Sequence, residues 1–324
     1  MESFQAQFHR RWGHLCDPHV RALAWLLDAP DLLDPAASQW RGQIATLKPE
    51  IGRQAQEWLA ALDRSPAELH AYLDVQAFTR LGRYAEKLMA YYFRHLCILV
   101  GHGVQVRTDK HDTVGEFDFL LRKGNELVHW EFATKFYLLE SSGAGQEADY
   151  FVGPNLADTL CAKMGKILDR QLSLAQHPAA QSHLPQPIAS AQALVKGWLF
   201  YHQNDPAPAE SLGISEPHCR GFWCTLAELD ALTGSAFAIL PRLQWLAPAK
   251  LGPDRLLNGQ SLQATLRSYF EHDSMPVMVA VMVPHGDHAL ETDRGFIVPN
   301  DWRIRAGQRM RRTVQTGDTS DRCS

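Results

Sequence analysis

Two apolar segments, residues 115–122 and 127–136, constrain this chain more than any other feature. Both are rich in the aromatic and aliphatic residues of buried strands. Lys123-Gly124-Asn125-Glu126 between them supplies the Gly and Asn that a tight hairpin connection favours. Into this apolar hairpin the chain sets Asp118, Glu131 and Lys135. Burying an unpartnered carboxylate or ammonium is costly, so each of these needs a partner or a job. Two acids and a lysine on adjacent strands suit a divalent cation and an activated water. The alternative is a salt bridge from Lys135 to Glu131 or Asp118 that only satisfies the sheet.

Side chains alternate faces along a strand, so His129, Glu131, Ala133 and Lys135 share one face. Val128, Trp130, Phe132 and Thr134 share the other, more apolar face. On the first strand, Glu116, Asp118 and Leu120 oppose Phe117, Phe119 and Leu121. The acids therefore gather on one side of the sheet when the hairpin register allows it.

The flanking sequence places this hairpin in a larger unit. Residues 78–99 read as a helix with apolar positions at Leu81, Tyr84, Leu88, Tyr91, Tyr92 and Leu96, and Glu86 lies within it. Residues 104–106 follow Gly101 and Gly103 and read as a short strand. Pro154-Asn155 is expected to open a second helix running to about Ala175. Its stripe is Leu160, Met164, Ile167, Leu168 and Leu172, with Gln171 at one edge and Lys163, Lys166 and Arg170 as polar neighbours. Residues 193–202 read as a further buried strand.

The order helix, three strands, helix, strand, with these acids, resembles the PD-(D/E)XK nuclease superfamily. Gly115-Glu116-Phe117-Asp118 resembles its Gly-x-x-Asp strand, as in the RecB-like branch. Glu131 and Lys135 resemble its acid-and-lysine strand, Glu86 its helical carboxylate, and Gln171 the glutamine of RecB-like members. The run Trp130-Glu131-Phe132-Ala133-Thr134-Lys135-Phe136-Tyr137-Leu138, with Gly153-Pro154-Asn155 and Asp158, is similar to a bacterial family of unknown function, the domain-of-unknown-function 1853 family. That similarity extends over most of the chain.

The superfamily resemblance implies a restriction-endonuclease-like α/β core over residues 77–203. Around it are expected a helical region at 1–76, a mixed α/β extension at 204–312 and a disordered tail at 313–324. It implies Asp118, Glu131 and Glu86 as ligands of Mg2+ or Mn2+, with Lys135 and Gln171 completing the catalytic set. The implied reaction is hydrolysis of DNA or RNA by a metal-activated water. One departure matters. The superfamily's second acid lies two residues before its lysine, where this chain has Ala133, and Glu131 is about 6.6 Å further along an ideal strand. A bulge, a migrated acid or a loss of catalysis each accounts for this, and the migrated acid is the preferred expectation. Two alternatives to a nuclease follow: an inactive nuclease fold that binds nucleic acid or protein, and a metal-dependent hydrolase of a small phosphorylated substrate.

The remaining sequence sets limits. A formal net charge of −4 argues against a dedicated nucleic-acid binder, although an enzyme needs only a local positive groove. No apolar stretch reaches the roughly 20 residues that span a membrane. The start, Met1-Glu2-Ser3-Phe4-Gln5, lacks the order of a secretory signal, and six scattered cysteines make no disulfide framework. Reduced thiols and a cytoplasmic location are the expectation. His218, Cys219 and Cys224 offer half of a zinc set, with no second pair at a familiar spacing. Pro18 suits the start of a helix over residues 20–28, and Ser65-Pro66 marks a break. Residues 177–192 and 205–208 read as loop and connector, and His285 and His288 as part of a solvent loop. A helix near residues 262–270 and apolar runs at 236–240, 277–283 and 295–299 either extend the central sheet or form a second one. Arg303, Arg305, Arg309, Arg311 and Arg312 read as a solvated basic terminal segment, and Trp198, Trp223, Trp245 and Trp302 as core or interface aromatics.

Overall fold

In a computed structural model, the protein is described over residues 2–47, 52–74, 78, 80–108, 113–140, 151–203 and 213–315. Helices α1 (Phe4–Trp12), α2 (Pro18–Asp28), α3 (Arg53–Arg64) and α4 (Ala67–Leu73) come first, then α5 (Leu81–His95). Strands β1 (Leu99–Arg107), β2 (Thr113–Lys123), β3 (Glu126–Leu139) and β4 (Phe151–Val152) lead to α6 (Leu160–Lys166). The chain continues through β5 (Ile188–His202), β6 (Cys219–Thr225), β7 (Ala236–Ile239) and β8 (Lys250–Leu251). It ends with α7 (Gly259–Phe270), β9 (Val277–His285), β10 (His288–Val298) and α8 (Trp302–Gln315).

All these strands join one mixed sheet, with main order β1-β2-β3-β5-β6-β10-β9-β7, β4 beside β3 and β8 beside β10. The apolar runs after residue 204 therefore extend the central sheet rather than forming a second one. The middle strands β3, β5, β6 and β10 are mutually parallel, and both edges are antiparallel. Parallel strands are covered on both faces, which explains the apolar stretches at 197–201 of β5 and 295–298 of β10. One face packs α1, α2 and α5 in a core with Trp25, Tyr84, Trp198 and Phe296. The other packs α6 against Ala133, Tyr137 and Val195, and α7 against Phe222, Val279 and Ile297.

Local chemistry sets most boundaries. Asp17 caps α2 by accepting the His19 and Val20 N–H groups, with Pro18 in the first turn. Gly124 takes φ +59° in the β2–β3 turn, where a side chain would be strained. Pro66 separates α3 from α4, as its place after Ser65 predicts.

Several expectations are corrected. Strand β1 is longer than residues 104–106 because its glycines are absorbed within it, through a register shift after Leu99 and a φ of +63° at Gly103. The second helix does not begin at Pro154-Asn155. Those residues form a turn closed by Leu156 N–H to the Gly153 carbonyl at 2.8 Å, and the helix starts only where Thr159 caps the Ala162 N–H at 3.2 Å. After seven residues it gives way to a π-helical turn, Ile167–Gln171. Part of the expected loop at 177–192 is a 3-10 helix and the start of β5. His285 and His288 flank the solvent-exposed Gly286-Asp287 turn of the β9–β10 hairpin, in line with the turn-like loop expected there. The basic terminal run is helical: Arg303 pairs with Glu140 at 3.3 Å, and Arg309 donates to the Ala157 carbonyl at 2.7 Å. Trp198, Trp223 and Trp302 are buried. The connector at 205–208 and most of the tail, 316–324, lie outside the described residues.

Candidate metal centre

The β2–β3 ladder runs from Lys123–Glu126 at the turn to Phe119–Trp130, where the paired register ends. Immediately beyond it, Asp118 Oδ2 accepts the Phe132 N–H at 2.9 Å, so a side chain takes over from the ladder. Face alternation also breaks there. Phe117 packs with Leu120 and Leu127 on the α6 side, whereas Phe119 packs with Leu121 on the α5 side. Along β3, residues 128–138 pair with β5 without a shift, so no bulge in β3 moves Glu131. The irregularity lies in β2, at Asp118. Gly197, opposite Lys135, permits this close β3–β5 approach, since a Cβ there would collide with the Lys135 carbonyl.

Glu131 is 1% exposed, and both its oxygens are held. Its Oε1 lies 2.9 Å from His129 Nε2, and its Oε2 accepts from Gln171 Nε2 at 2.5 Å. Burial lowers the His129 pKa to about 4, so the imidazole is neutral and donates from Nε2. Its Nδ1 is buried without a hydrogen-bond partner. The π-helical turn of Ile167–Gln171 aims Gln171 at Glu131, and such turns concentrate at functional positions.

Asp118 and Glu131 are both pushed above the carboxylate range. Burial raises Asp118 to about 8, with the nearby Glu131 charge adding to it. Burial likewise raises Glu131 to about 7, offset in part by a hydrogen bond with Asp118 and by Lys163. Near neutral pH this is a carboxyl pair still holding protons.

On the other side of Asp118, carboxylate oxygens of Glu86, Glu116 and Asp118 lie within 4.8 Å of one another. Glu86 comes from α5 and is bonded to His102 Nε2 at 2.8 Å. Three hard oxygen donors fit a divalent cation such as Mg2+ or Mn2+. Of the expected ligands, Glu86 and Asp118 fall in this group. Glu131 adjoins Asp118 outside it, and Glu116 takes the third place. Glu116 is legible in the sequence, since it shares a strand face with Asp118 under ideal alternation.

The lysines differ from expectation. Lys135 makes neither of the ion pairs weighed for it; its Nζ lies 3.0 Å from Asp158 Oδ2, which also accepts from the Tyr137 hydroxyl at 3.1 Å. Lys163 is the lysine beside the acid pair. It donates to Gln171 Oε1 at 3.4 Å, and its pKa is lowered by burial and by Lys135 and Lys166 while Glu131 and Asp118 oppose the shift. In the sequence Lys163 is only a polar neighbour of a helical stripe, because its role depends on where α6 docks.

The cysteines do not converge. Cys219 is buried in the core with α2 and α5, Cys224 on the opposite face, and burial raises both thiols to about 12. Two cavities of about 500 and 450 Å³ open elsewhere, and neither is lined by the acids above. Among the described residues, no helix is long and apolar enough to cross a membrane.

Among known proteins, a family model described as Domain of unknown function (DUF1853) matches residues 21–298. No curated protein and no solved structure matches the chain.

Proposed function

The chain belongs to the DUF1853 family, and from its acid site we propose that it is a metal-dependent phosphodiesterase hydrolysing DNA or RNA. One observation carries this reading: Asp118 and Glu131, mostly buried and both raised in pKa, sit where the β2–β3 ladder ends, with Glu86 and Glu116 at their edge. Uncompensated buried carboxylates are costly, and a ligand cation is the natural compensation. The succession α5-β1-β2-β3-α6-β5, with β1-β2-β3-β5 adjacent, supports a restriction-endonuclease-like core.

Glu86, Glu116 and Asp118 would hold Mg2+ or Mn2+. When bound, the cation supplies a water of lowered pKa and neutralises charge on a phosphate oxygen. Glu131, near pKa 7, is suited to accept a proton from an attacking water. Gln171 and His129 fix its two oxygens and thus the direction of its free lone pairs. Lys163 presents positive charge where negative charge develops on phosphate. Lys135, engaged with Asp158, orients the site's margin.

Ala133, packed in the α6 core where the superfamily carries an acid, favours a second reading in which the fold binds nucleic acid without cutting it. One experiment separates the two. Mn2+ is titrated calorimetrically into the protein and into Asp118→Asn and Glu131→Gln, and each is incubated with DNA and RNA. Binding and cleavage that Asp118→Asn abolishes, with cleavage lost in Glu131→Gln, support the phosphodiesterase. Mn2+ binding without cleavage, alongside salt-sensitive nucleic-acid binding, supports the second reading. Unchanged Mn2+ binding in both variants overturns the site.

A further inference from the structure

Away from the acids, a pocket of about 450 Å³ opens between the first turns of α2 and residues 241–251. That volume falls in the roughly 300–1,000 Å³ range of small-molecule sites. One wall is irregular backbone, and buried charge holds it from behind. Arg294 donates to the Trp245 carbonyl and, at 2.7 Å, to the Ala247 carbonyl. Arg21 Nη2 donates to the Pro248 carbonyl at 2.8 Å, and Glu291 Oε2 accepts the Ala249 N–H at 2.8 Å. Arg21, Glu291 and Arg294 are 5%, 1% and 0% exposed. A wall whose carbonyls are tied to buried guanidiniums cannot collapse inward without stranding those charges, so the pocket is preformed.

The facing wall is α2 together with Tyr84, whose hydroxyl lies 2.7 Å from His19 Nδ1. Burial lowers the His19 pKa, and the Asp17 carboxylate, which accepts the His19 N–H at 2.9 Å, opposes that shift. Ala22, Leu243, Pro248 and Leu251 make much of the remaining surface apolar. Among the described residues, the Lys and Arg side chains of the lining are Arg21, Arg242 and Lys250, and no Asp or Glu lines it. Lys250 donates to the Gly13 carbonyl at 2.9 Å, and Arg242 lies over the Trp245 ring. Neither is engaged by an acid among the described residues.

We propose that this pocket binds a small amphiphilic anion: an apolar or aromatic body carrying one carboxylate or sulfonate. The apolar walls take the body, and Arg242 and Lys250 attract the anion. The assignment is independent of the phosphodiesterase reading, because none of its residues belongs to the acid site.

The probe is 8-anilinonaphthalene-1-sulfonate, which carries an aromatic body and a sulfonate. It is titrated into the folded full-length protein near neutral pH and followed by fluorescence. The expected result is saturable one-site binding, displaced by decanoate and not by decyltrimethylammonium. Arg242→Glu and Lys250→Glu should each weaken it about tenfold while leaving the urea midpoint near that of the parent protein. Absence of saturable binding overturns the proposal. So does equal displacement by the two amphiphiles, or undiminished binding in both charge-reversal variants.

Discussion

Two regions of this molecule bury charge, and they do it in opposite ways. In β10, Arg294 meets Glu291 through Nε at 2.6 Å and Nη2 at 2.7 Å, gives its remaining donors to carbonyls, and covers the Trp198 ring. Every charge there has an opposite charge or a dipole. Where β2 leaves β3, Asp118 and Glu131 lie together with Glu86 and Glu116 nearby, and Lys163 is the cation beside them. The first arrangement fixes an irregular segment. The second keeps carboxyl groups close with too little compensation for their ionised forms, which a fold tolerates where a ligand supplies the balance.

The largest effect should come from breaking the balanced pair. Arg294→Met leaves Glu291 charged in the core and should cost about 3–5 kcal/mol in urea unfolding. A loss under about 1 kcal/mol would erase the contrast between the two regions.

The acid pair should respond to pH instead. Because Asp118 and Glu131 are raised to about 8 and about 7, Mn2+ must displace protons near neutrality. Affinity should therefore rise with pH through that interval, by up to about tenfold per unit for each proton released. Calorimetry in buffers of different ionisation enthalpy counts those protons, and a flat profile would mean that the pair is already ionised.

A smaller effect concerns stability without metal. A carboxyl with a raised folded pKa contributes stability below its unfolded pKa and loses it as pH rises through the folded one. The pair should thus destabilise the metal-free protein progressively from about pH 4 to about pH 8. Asp118→Asn should recover on the order of 2 kcal/mol at the alkaline end and little at the acid end. Urea midpoints at both pH values read this directly, and a destabilised variant at the alkaline end would show that Asp118 is structural.

Gln171→Leu should have the least effect. It frees Glu131 Oε2 from its donor and should slow phosphodiester cleavage about tenfold, because Glu131 is no longer held in place as the base. An unchanged rate would remove Gln171 from the site.

How far the sequence foretells this arrangement differs by element. The hairpin, α2 and α7 are legible because strand composition, a Gly-Asn turn, an Asp-Pro cap and an apolar stripe act within a few residues. Asp118 and Glu131 stand out for the same local reason, as charges in apolar strands. The early end of α6 is not legible, since Leu172 continues the apolar stripe past the point where the backbone turns into a π-helical turn. Nor is the partner of Lys135, because Asp158 reaches it only through the turn after β4.

The chain alone therefore determined the kinds of element and the unusual acids, since propensity and alternation are local. Only the tertiary structure decided that the late apolar runs join the same sheet, that face alternation breaks in β2, and that Lys163 rather than Lys135 faces the acids. Those outcomes depend on strand register and helix docking, which are set by contacts between residues far apart in the chain.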